Sequence, residues 1–303
     1  MADKIIKLAL LNLPKWGSIS ARKLIADSTL DKLSDPEGMF EAMVLLAKTH
    51  KRITIPCLAE IQHAFCKAHS ILAQCEKYNI QVLTEAEASY PIRFASSEIK
   101  PLVLYAKGNF GALNHKTVFA LIGTRKAEPW VLNTLRRLGC WCAENSITVL
   151  SGLAVGCDTA AHQGCIDARG TALAVLGNGL DQIYPKQNTR LVDSILEHEG
   201  CLLSEYPPGS PANRFQLVAR DRLQAILSDA LIVGQTSLTG GSMHAANYAM
   251  DKLSRPIAVL SGVACNSKSF SGTVNPIERG AFVLNKDECL QGFAAISKID
   301  VYR

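Results

Sequence analysis

Regular alternation of apolar runs with segments of helical length constrains this chain more than any other feature. Six apolar runs recur along the chain, at Val118–Ile122, Ile147–Leu150, Ala172–Leu176, Cys201–Ser204, Ala230–Val233 and Ile257–Leu260. Most are separated by segments of helical length, at Trp130–Glu144, Asp158–Ala168, Asn188–His198 and Gly241–Leu253. Strands that are apolar throughout, with helices between them, are typical of a parallel sheet covered on both faces. The sequence therefore predicts an α/β fold with a Rossmann-like, doubly wound, mainly parallel sheet.

The first part of the chain has a different period. Apolar residues recur at three-to-four spacing between breaks that contain Gly or Pro, in Lys4–Leu13, Ser20–Ile25, Met39–Lys48 and Pro56–Tyr78. We predict a small helical domain over 1–78 and a Rossmann-like core over 79–303. The turn Leu13-Pro14-Lys15-Trp16-Gly17 is similar to turns of SAM-like or helix-hairpin-helix modules that bind nucleic-acid backbone, but an ordinary interhelical turn fits it as well.

Composition narrows the class of protein. The chain has 303 residues, 48% of them hydrophobic, and a net charge of +5, which permits a polyanionic partner only if the basic groups cluster. No apolar run approaches the roughly 18 residues that span a bilayer, and Met-Ala-Asp-Lys does not resemble a secretory signal. Ten cysteines without a Cys-x-x-Cys pair favour a reducing compartment. We expect a soluble cytoplasmic protein that needs neither metal nor cofactor and does not associate with membranes.

Glycine turns follow four of the predicted strands. Strand–turn–helix junctions direct backbone N–H groups and the positive end of a helix dipole at one point, which favours an anion. In a doubly wound sheet such turns meet outside the carboxyl ends of the strands. These turns predict a phosphate-binding crevice that contains Gly123, Thr124, Arg125, Lys126, Ser151, Gly152, Gly156, Asp158, Gly241 and Ser242, with Gly177 and Gly179 in its wall.

Two clusters of polar residues lie in the same region. Asp158 and His162 are four residues apart on one helix face, so they form either a catalytic pair or a local arrangement in which Asp158 caps backbone amides and His162 packs into the wall of the crevice. Arg220-Asp221-Arg222 is predicted to open a helix that runs to about Ser228. The dinucleotide fingerprint and the P-loop motif are both missing from the sequence, which argues against NAD binding and ATP hydrolysis.

Several short sequence blocks occur along the chain in an order that is typical of a known protein family. They are Tyr90-Pro91, Lys100-Pro101 to Gly108, Ile122 to Arg125, Ser151 to His162, Ala172 to Pro185, Ser204-Glu205-Tyr206-Pro207-Pro208-Gly209, Phe215 with Arg220-Asp221-Arg222, Gly241-Ser242-Met243, and Gly272 to Ala281. In this order they resemble the DNA-processing protein A family (DprA, also called Smf).

The resemblance implies a non-catalytic protein that binds single-stranded DNA, works as a homodimer and loads a RecA-type recombinase during natural transformation (competence). It also implies that Arg125 contacts DNA phosphate and that the turn 151–156, Arg220 and Arg222 line the same pocket. The family usually has Arg where Val155 stands and Asn where Asp221 stands. Few aromatics flank the predicted pocket, so we expect contacts mainly to the DNA backbone.

Two other functions remain open at this stage. One is a sensor or phosphoribohydrolase-like enzyme acting on a small nucleotide: Thr239-Gly240-Gly241-Ser242 is similar to the glycines of such enzymes, but the following residues, 243–247, offer no Glu. Glu205 is the nearest carboxylate that could serve instead. The other is a structural interaction partner that has lost DNA affinity.

Overall fold

The computed structural model describes residues 1–95, 97, 99–261, 268–286 and 289–296. It divides into two compact units, Met1–Tyr90 with Lys100–Tyr105 and Pro91–Ile99 with Ala106–Arg303. The domain boundary that the sequence predicts after residue 78 lies inside the first of these units. The division into domains 1–78 and 79–303 stays a prediction. Among the described helices, none is both long and apolar enough to cross a bilayer.

The first unit is mainly helical. It contains α1 (Ala2–Leu11), α2 (Ser18–Asp27), α3 (Pro36–Thr49), α4 (Leu58–Lys77) and a short strand, β1 (Gln81–Leu83). All four helices lie within three residues of the predicted segments. Asp35 starts α3 because its carboxylate accepts the Gly38 N–H at 2.9 Å and Pro36 fits the first helical position. The Trp16 indole N–H donates to the Thr54 carbonyl at 2.8 Å, which anchors the turn between α1 and α2.

The second unit holds the predicted α/β core. Its strands are β3 (Val118–Ile122), β4 (Thr148–Ser151), β5 (Ala172–Leu176), β6 (Cys201–Ser204), β7 (Ala230–Val233), β8 (Ile257–Ser261) and β9 (Phe282–Asn285), and β2 (Leu104–Gly108) begins in the first unit. Its helices are α5 (Pro129–Glu144), α6 (Cys157–Asp167), α7 (Thr189–Glu197), α8 (Arg214–Ile226), α9 (Ser242–Tyr248), which continues as a π-helical turn to Leu253, α10 (Ser271–Glu278) and α11 (Cys289–Ile296).

The sheet has the doubly wound topology that the sequence predicts. Its order β6-β5-β4-β3-β7-β8-β9 is made of parallel pairs throughout. The chain moves outward from β3 through β4, β5 and β6, and then returns to place β7 on the other side of β3. A crevice therefore opens between β3 and β7 at their carboxyl ends, where such folds bind ligands.

Close helix packing completes this unit. α5 and α6 touch through two glycines: a Cβ built on Gly164 would lie 1.9 Å from the Arg136 carbonyl oxygen, and one built on Gly139 would lie 2.3 Å from that of Ala161. Only glycine permits backbones to approach so closely. Every residue of β3, β4 and β5 is buried, which accounts for their uninterrupted apolar sequences.

The start of α8 differs from the prediction. The helix begins at Arg214 rather than at Arg220, because the Asn213 side chain accepts the N–H groups of Phe215 and Gln216, each at 3.0 Å. Asparagine is among the preferred N-cap residues. Arg220 and Arg222 consequently lie in the middle of the helix, and because they are two positions apart their side chains point in different directions.

Candidate nucleic-acid interface

A cleft of about 660 Å³ lies outside the carboxyl ends of β3 and β7. The loop after β3, the loop after β7 and one face of α8 supply most of its wall. Its lining residues are Ile122, Gly123, Thr124, Arg125, Lys126, Ala154, Asp158, Tyr184, Ala212, Asn213, Arg214, Leu217, Val218, Arg220, Asp221, Gln224, Thr236, Ser237, Gly240, Gly241 and Ser242. Eight of the twelve predicted phosphate-binding residues are therefore brought together in one cleft.

Three exposed cations line this cleft. Arg125, Lys126 and Arg214 are exposed, and within the described part of the chain none of them has a carboxylate oxygen within the 4.0 Å of an ion pair. Arginine forks and lysine ammonium groups suit phosphate oxygens. The open side of the cleft can therefore hold an anion.

Two aromatic side chains adjoin the cations, although the sequence analysis expected few. Tyr184 lines the cleft and is 45% exposed, and Phe215 is 71% exposed. The Arg214 guanidinium lies 4.6 Å from the centre of the Phe215 ring. An aromatic next to a cation offers a flat apolar surface for a base beside a phosphate contact.

The turn after β4 differs from the arrangement that the sequence predicted. Its amides at Gly152 and Ala154 donate to Asp158 Oδ2, at 3.1 and 3.3 Å. Asp158 is buried and thus holds the anion position of this turn itself. The prediction that Asp158 caps backbone amides is confirmed.

The other residues of this turn serve its packing. The Ser151 hydroxyl donates to the Leu121 carbonyl at 2.6 Å, and Gly156, with φ of 89°, passes so close to the Thr124 carbonyl that a Cβ would lie 2.6 Å from its oxygen. Gly152 lines a side pocket of about 60 Å³ together with Val155. Ser151, Gly152 and Gly156 lie behind the cleft and are not among its lining residues.

His162 does not pair with Asp158. It is fully buried, and its ring nitrogens have no hydrogen-bond partner among the described residues. Burial, and secondarily the charge of Arg220, lowers the pKa of His162 to about 3. The ring is therefore neutral at physiological pH, and the catalytic pair that the spacing allowed is not formed.

Arg220 is a buried residue rather than an exposed phosphate ligand. It is 6% exposed, and one terminal nitrogen donates to the Val175 carbonyl at 2.6 Å. Its Nε lies 3.3 Å from Asp221 Oδ1. A Cβ on Gly152 would fall 1.8 Å from the guanidinium, so Gly152 makes room for Arg220. Only part of Arg220 reaches the cleft wall.

Arg222 lies outside the cleft. Its Nη2 atom donates to both carboxylate oxygens of Glu205, at 2.7 and 2.6 Å. Burial raises the pKa of Glu205, and the charge of Arg222 opposes that shift. This pair fixes the start of the loop after β6, and it engages the carboxylate that the sequence offered in place of the missing catalytic Glu.

The predicted wall glycines have a packing role. A Cβ on Gly177 would lie 3.0 Å from the backbone of Leu217 in α8, and one on Gly179 would lie 2.5 Å from the Pro207 carbonyl oxygen. These glycines let α8 and the loop after β6 pack against the loop after β5. Gly177 and Gly179 are buried and do not line the cleft.

Sequence reasoning missed much of the α8 wall. Arg214, Leu217, Val218, Asp221 and Gln224 line the cleft, and their spacing of three or four residues places them on one helix face. The sequence shows this pattern only if the helix is taken to begin directly after its N-cap, Asn213. Because the prediction began the helix at Arg220, it could not reveal the face.

Comparison with known proteins identifies the family. The family model for DNA recombination-mediator protein A matches residues 81–294. The chain belongs to this family. The resemblance noted in the sequence is confirmed, and the DNA recombination-mediator core coincides with the part of the chain that carries the cleft.

Three proteins of known sequence match this chain at about 30% identity. Protein Smf of Synechocystis is 33% identical over 236 residues, which cover 76% of this chain and 58% of that protein. Protein Smf of Escherichia coli is 32% identical over 220 residues, covering 72% and 58%. The chain thus spans less than two thirds of these two relatives. DNA processing protein DprA of Bacillus subtilis is 28% identical over 249 residues, covering 82% and 83%.

Two solved structures of DNA processing protein A share the fold. That from Streptococcus pneumoniae has a TM-score of 0.72 at 24% identity and covers 96% of this chain and 97% of its own. That from Helicobacter pylori, which was described for its single-stranded DNA binding mode, has a TM-score of 0.63 at 27% identity and covers 72% and 97%. The α/β fold with preceding helices is confirmed.

Proposed function

We propose that this protein binds the phosphate backbone of single-stranded DNA in the cleft between β3 and β7. The observation that carries the proposal is the presence of Arg125, Lys126 and Arg214, three exposed cations without an ion-pair partner in the described residues, at the topological switch point of the sheet. The Helicobacter pylori relative, which binds single-stranded DNA, supports it.

The proposal assigns different roles to the residues that the sequence grouped together. Arg125, Lys126 and Arg214 contact phosphate, while Gly123, Thr124, Gly241 and Ser242 let the strand approach the loops. Asp158, Arg220, Ser151 and Gly152 hold the turn after β4 in place, and Arg222 holds Glu205. Tyr184 and Phe215 stack on bases, which adds a contact that tolerates any sequence.

Further parts of the proposal rest on family membership. We infer that the bound strand is handed to a RecA-type recombinase in the cytoplasm, that a homodimer does this, and that natural transformation is one process it serves. We also infer that no covalent chemistry is involved, since Glu205 is engaged by Arg222 at 2.6 Å. Loading is tested by whether the protein accelerates recombinase assembly on single strands that are already coated with a single-strand-binding protein.

A small nucleotide is the second candidate ligand. The cleft volume of about 660 Å³ falls within the range of ordinary small-molecule sites. The same cations would then hold one terminal phosphate instead of successive phosphodiesters.

Fluorescence anisotropy of labelled oligo-dT at several salt concentrations tests the proposal. For single strands, each phosphate contact adds about −0.7 to the slope of log K against log salt. Arg125→Ala should weaken binding about tenfold and remove about one contact from that slope, since charge-assisted hydrogen bonds are worth about 1.5–3 kcal/mol.

Arg137→Ala is the matched control, because Arg137 is exposed on α5 and does not line the cleft. It should leave the affinity and the slope unchanged. If oligo-dT does not bind at low salt while ADP-ribose or a nucleoside monophosphate does, the single-strand proposal is wrong and the nucleotide candidate replaces it.

A further inference from the structure

Two carboxylates lie in the wall of a cleft whose exposed cations suit an anion. Asp221 lies on the cleft face of α8 and is 8% exposed. Its Oδ1 atom is 3.3 Å from Arg220 Nε. Asp158, which is 5% exposed, lines the same wall from α6. The charge of the buried Arg220 guanidinium acts on both of these buried carboxylates.

The charged and titratable groups around Asp221 come from three elements. Arg220 and Arg214 belong to its own helix, Asp158 and the neutral His162 to α6, and Arg125 and Lys126 to the loop after β3. His244 of α9 is exposed and does not line the cleft. Inside the wall, with both carboxylates ionised, Asp158 and Asp221 outnumber Arg220 by one charge.

The environment favours the protonated form of this carboxyl. Burial is the largest cause that raises the pKa of Asp221, to about 7; Asp158 raises it further, while Arg220 and Arg125 lower it. Burial also raises the pKa of Asp158. The charge of Arg220 and the hydrogen bonds from backbone amides lower that pKa and so oppose the effect of burial. One proton on Asp221 removes the excess negative charge from the wall.

We propose that the ionised Asp221 carboxylate repels phosphate from this part of the cleft, so that the cleft takes up one proton with each phosphate held against this wall. The proton comes from solvent and is added to the Asp221 carboxylate; the resulting carboxyl O–H can donate to a phosphate oxygen. This inference rests on the proposed function, because the anion is taken to be the backbone of single-stranded DNA.

The expected signature is a pH-dependent dissociation constant for oligo-dT at fixed ionic strength. If only the protonated wall binds, the Kd should rise about tenfold between pH 6 and pH 8, since ionisation of one group with a pKa near 7 changes the competent fraction by that factor. Asp221→Asn should bind at pH 8 as tightly as the unmodified protein binds at pH 6 and should show little change with pH.

Asp193→Asn supplies the matched control. It removes the same charge from an exposed position on α7, so it should leave the pH profile unchanged. Circular dichroism of each variant shows whether the fold is kept. Oligo-dT binding that does not vary with pH, or an Asp221→Asn profile equal to that of the unmodified protein, overturns the inference while leaving the proposed function intact.

A measurement without any variant provides the second test. Calorimetric titration of oligo-dT at pH 7.5 in two buffers of different ionisation enthalpy gives the number of protons taken up on binding. An uptake of roughly half a proton or more supports the coupling, and zero uptake overturns it. Absence of oligo-dT binding in every buffer would instead refute the proposed function, on which this inference depends.

Discussion

Arg220 should matter to folding more than to direct contact with a ligand, and replacing it separates the two roles. Arg220→Met keeps most of the length of the side chain and removes its charge. The variant leaves Asp158 and Asp221 in the wall without the guanidinium whose charge acts on both of them, and it leaves the Val175 carbonyl without its 2.6 Å donor. An exposed phosphate ligand would show neither consequence.

The magnitude follows from burial. Arg220 and Asp221 have side chains that are 7% and 11% exposed, so water does not replace the lost partner. Removing one member of a buried ion pair typically costs about 3–5 kcal/mol. We expect Arg220→Met to lose that much free energy of unfolding at pH 8, and clearly less at pH 5. The loss is smaller at low pH because Asp221, whose pKa burial raises to about 7, is then protonated and needs no counter-charge.

Urea unfolding followed by far-UV circular dichroism at both pH values measures this difference. Arg125→Met is the comparison: Arg125 is exposed and forms no ion pair within the described residues, so its loss should change stability by no more than about 0.5 kcal/mol. The double variant Arg220→Met/Asp221→Asn should recover part of the loss, because it removes one of the two stranded carboxylates. The reasoning is refuted if Arg220→Met is as stable as the unmodified protein at pH 8.

Two further predictions concern the scaffold of the second unit. Asp229 accepts Arg93 Nε at 3.0 Å and Nη2 at 2.7 Å, with both side chains 3% exposed; Asp229→Ala should therefore cost about 3–5 kcal/mol in urea unfolding, and a change below 1 kcal/mol would contradict that role. Gly164→Val should push α5 away from α6, because a Cβ there would lie 1.9 Å from the Arg136 carbonyl oxygen. We expect the free energy of unfolding to fall by more than about 2 kcal/mol. Gly17→Ala is the control: a Cβ there meets nothing within 4 Å, so it should change the free energy of unfolding by less than about 1 kcal/mol.

The six predicted core strands match the structure to within one residue at either end. They could be found from the sequence because strands buried on both faces must be apolar at every position. The strands β1, β2 and β9 were not predicted. β1 has only three residues, and β9 has exposed residues at 282, 283 and 285, so β1 and β9 lack that uninterrupted apolar pattern.

The sequence also located the cleft, because glycine turns after parallel strands meet at one edge of the sheet in any doubly wound fold. It could not determine which cations face that edge. Arg125 and Lys126 lie in the cleft, Arg220 is buried against Asp221, and Arg222 turns to Glu205.

The physical reason lies in the range of the interactions involved. Strand, helix and turn preferences depend on near neighbours along the chain, so a single sequence reveals them. The role of an arginine depends on which carboxylate or carbonyl the fold brings beside it. Val175 is 45 residues from Arg220 along the chain, and Glu205 is 17 from Arg222. Only the tertiary structure decides those partners, and with them which charges remain available to a ligand.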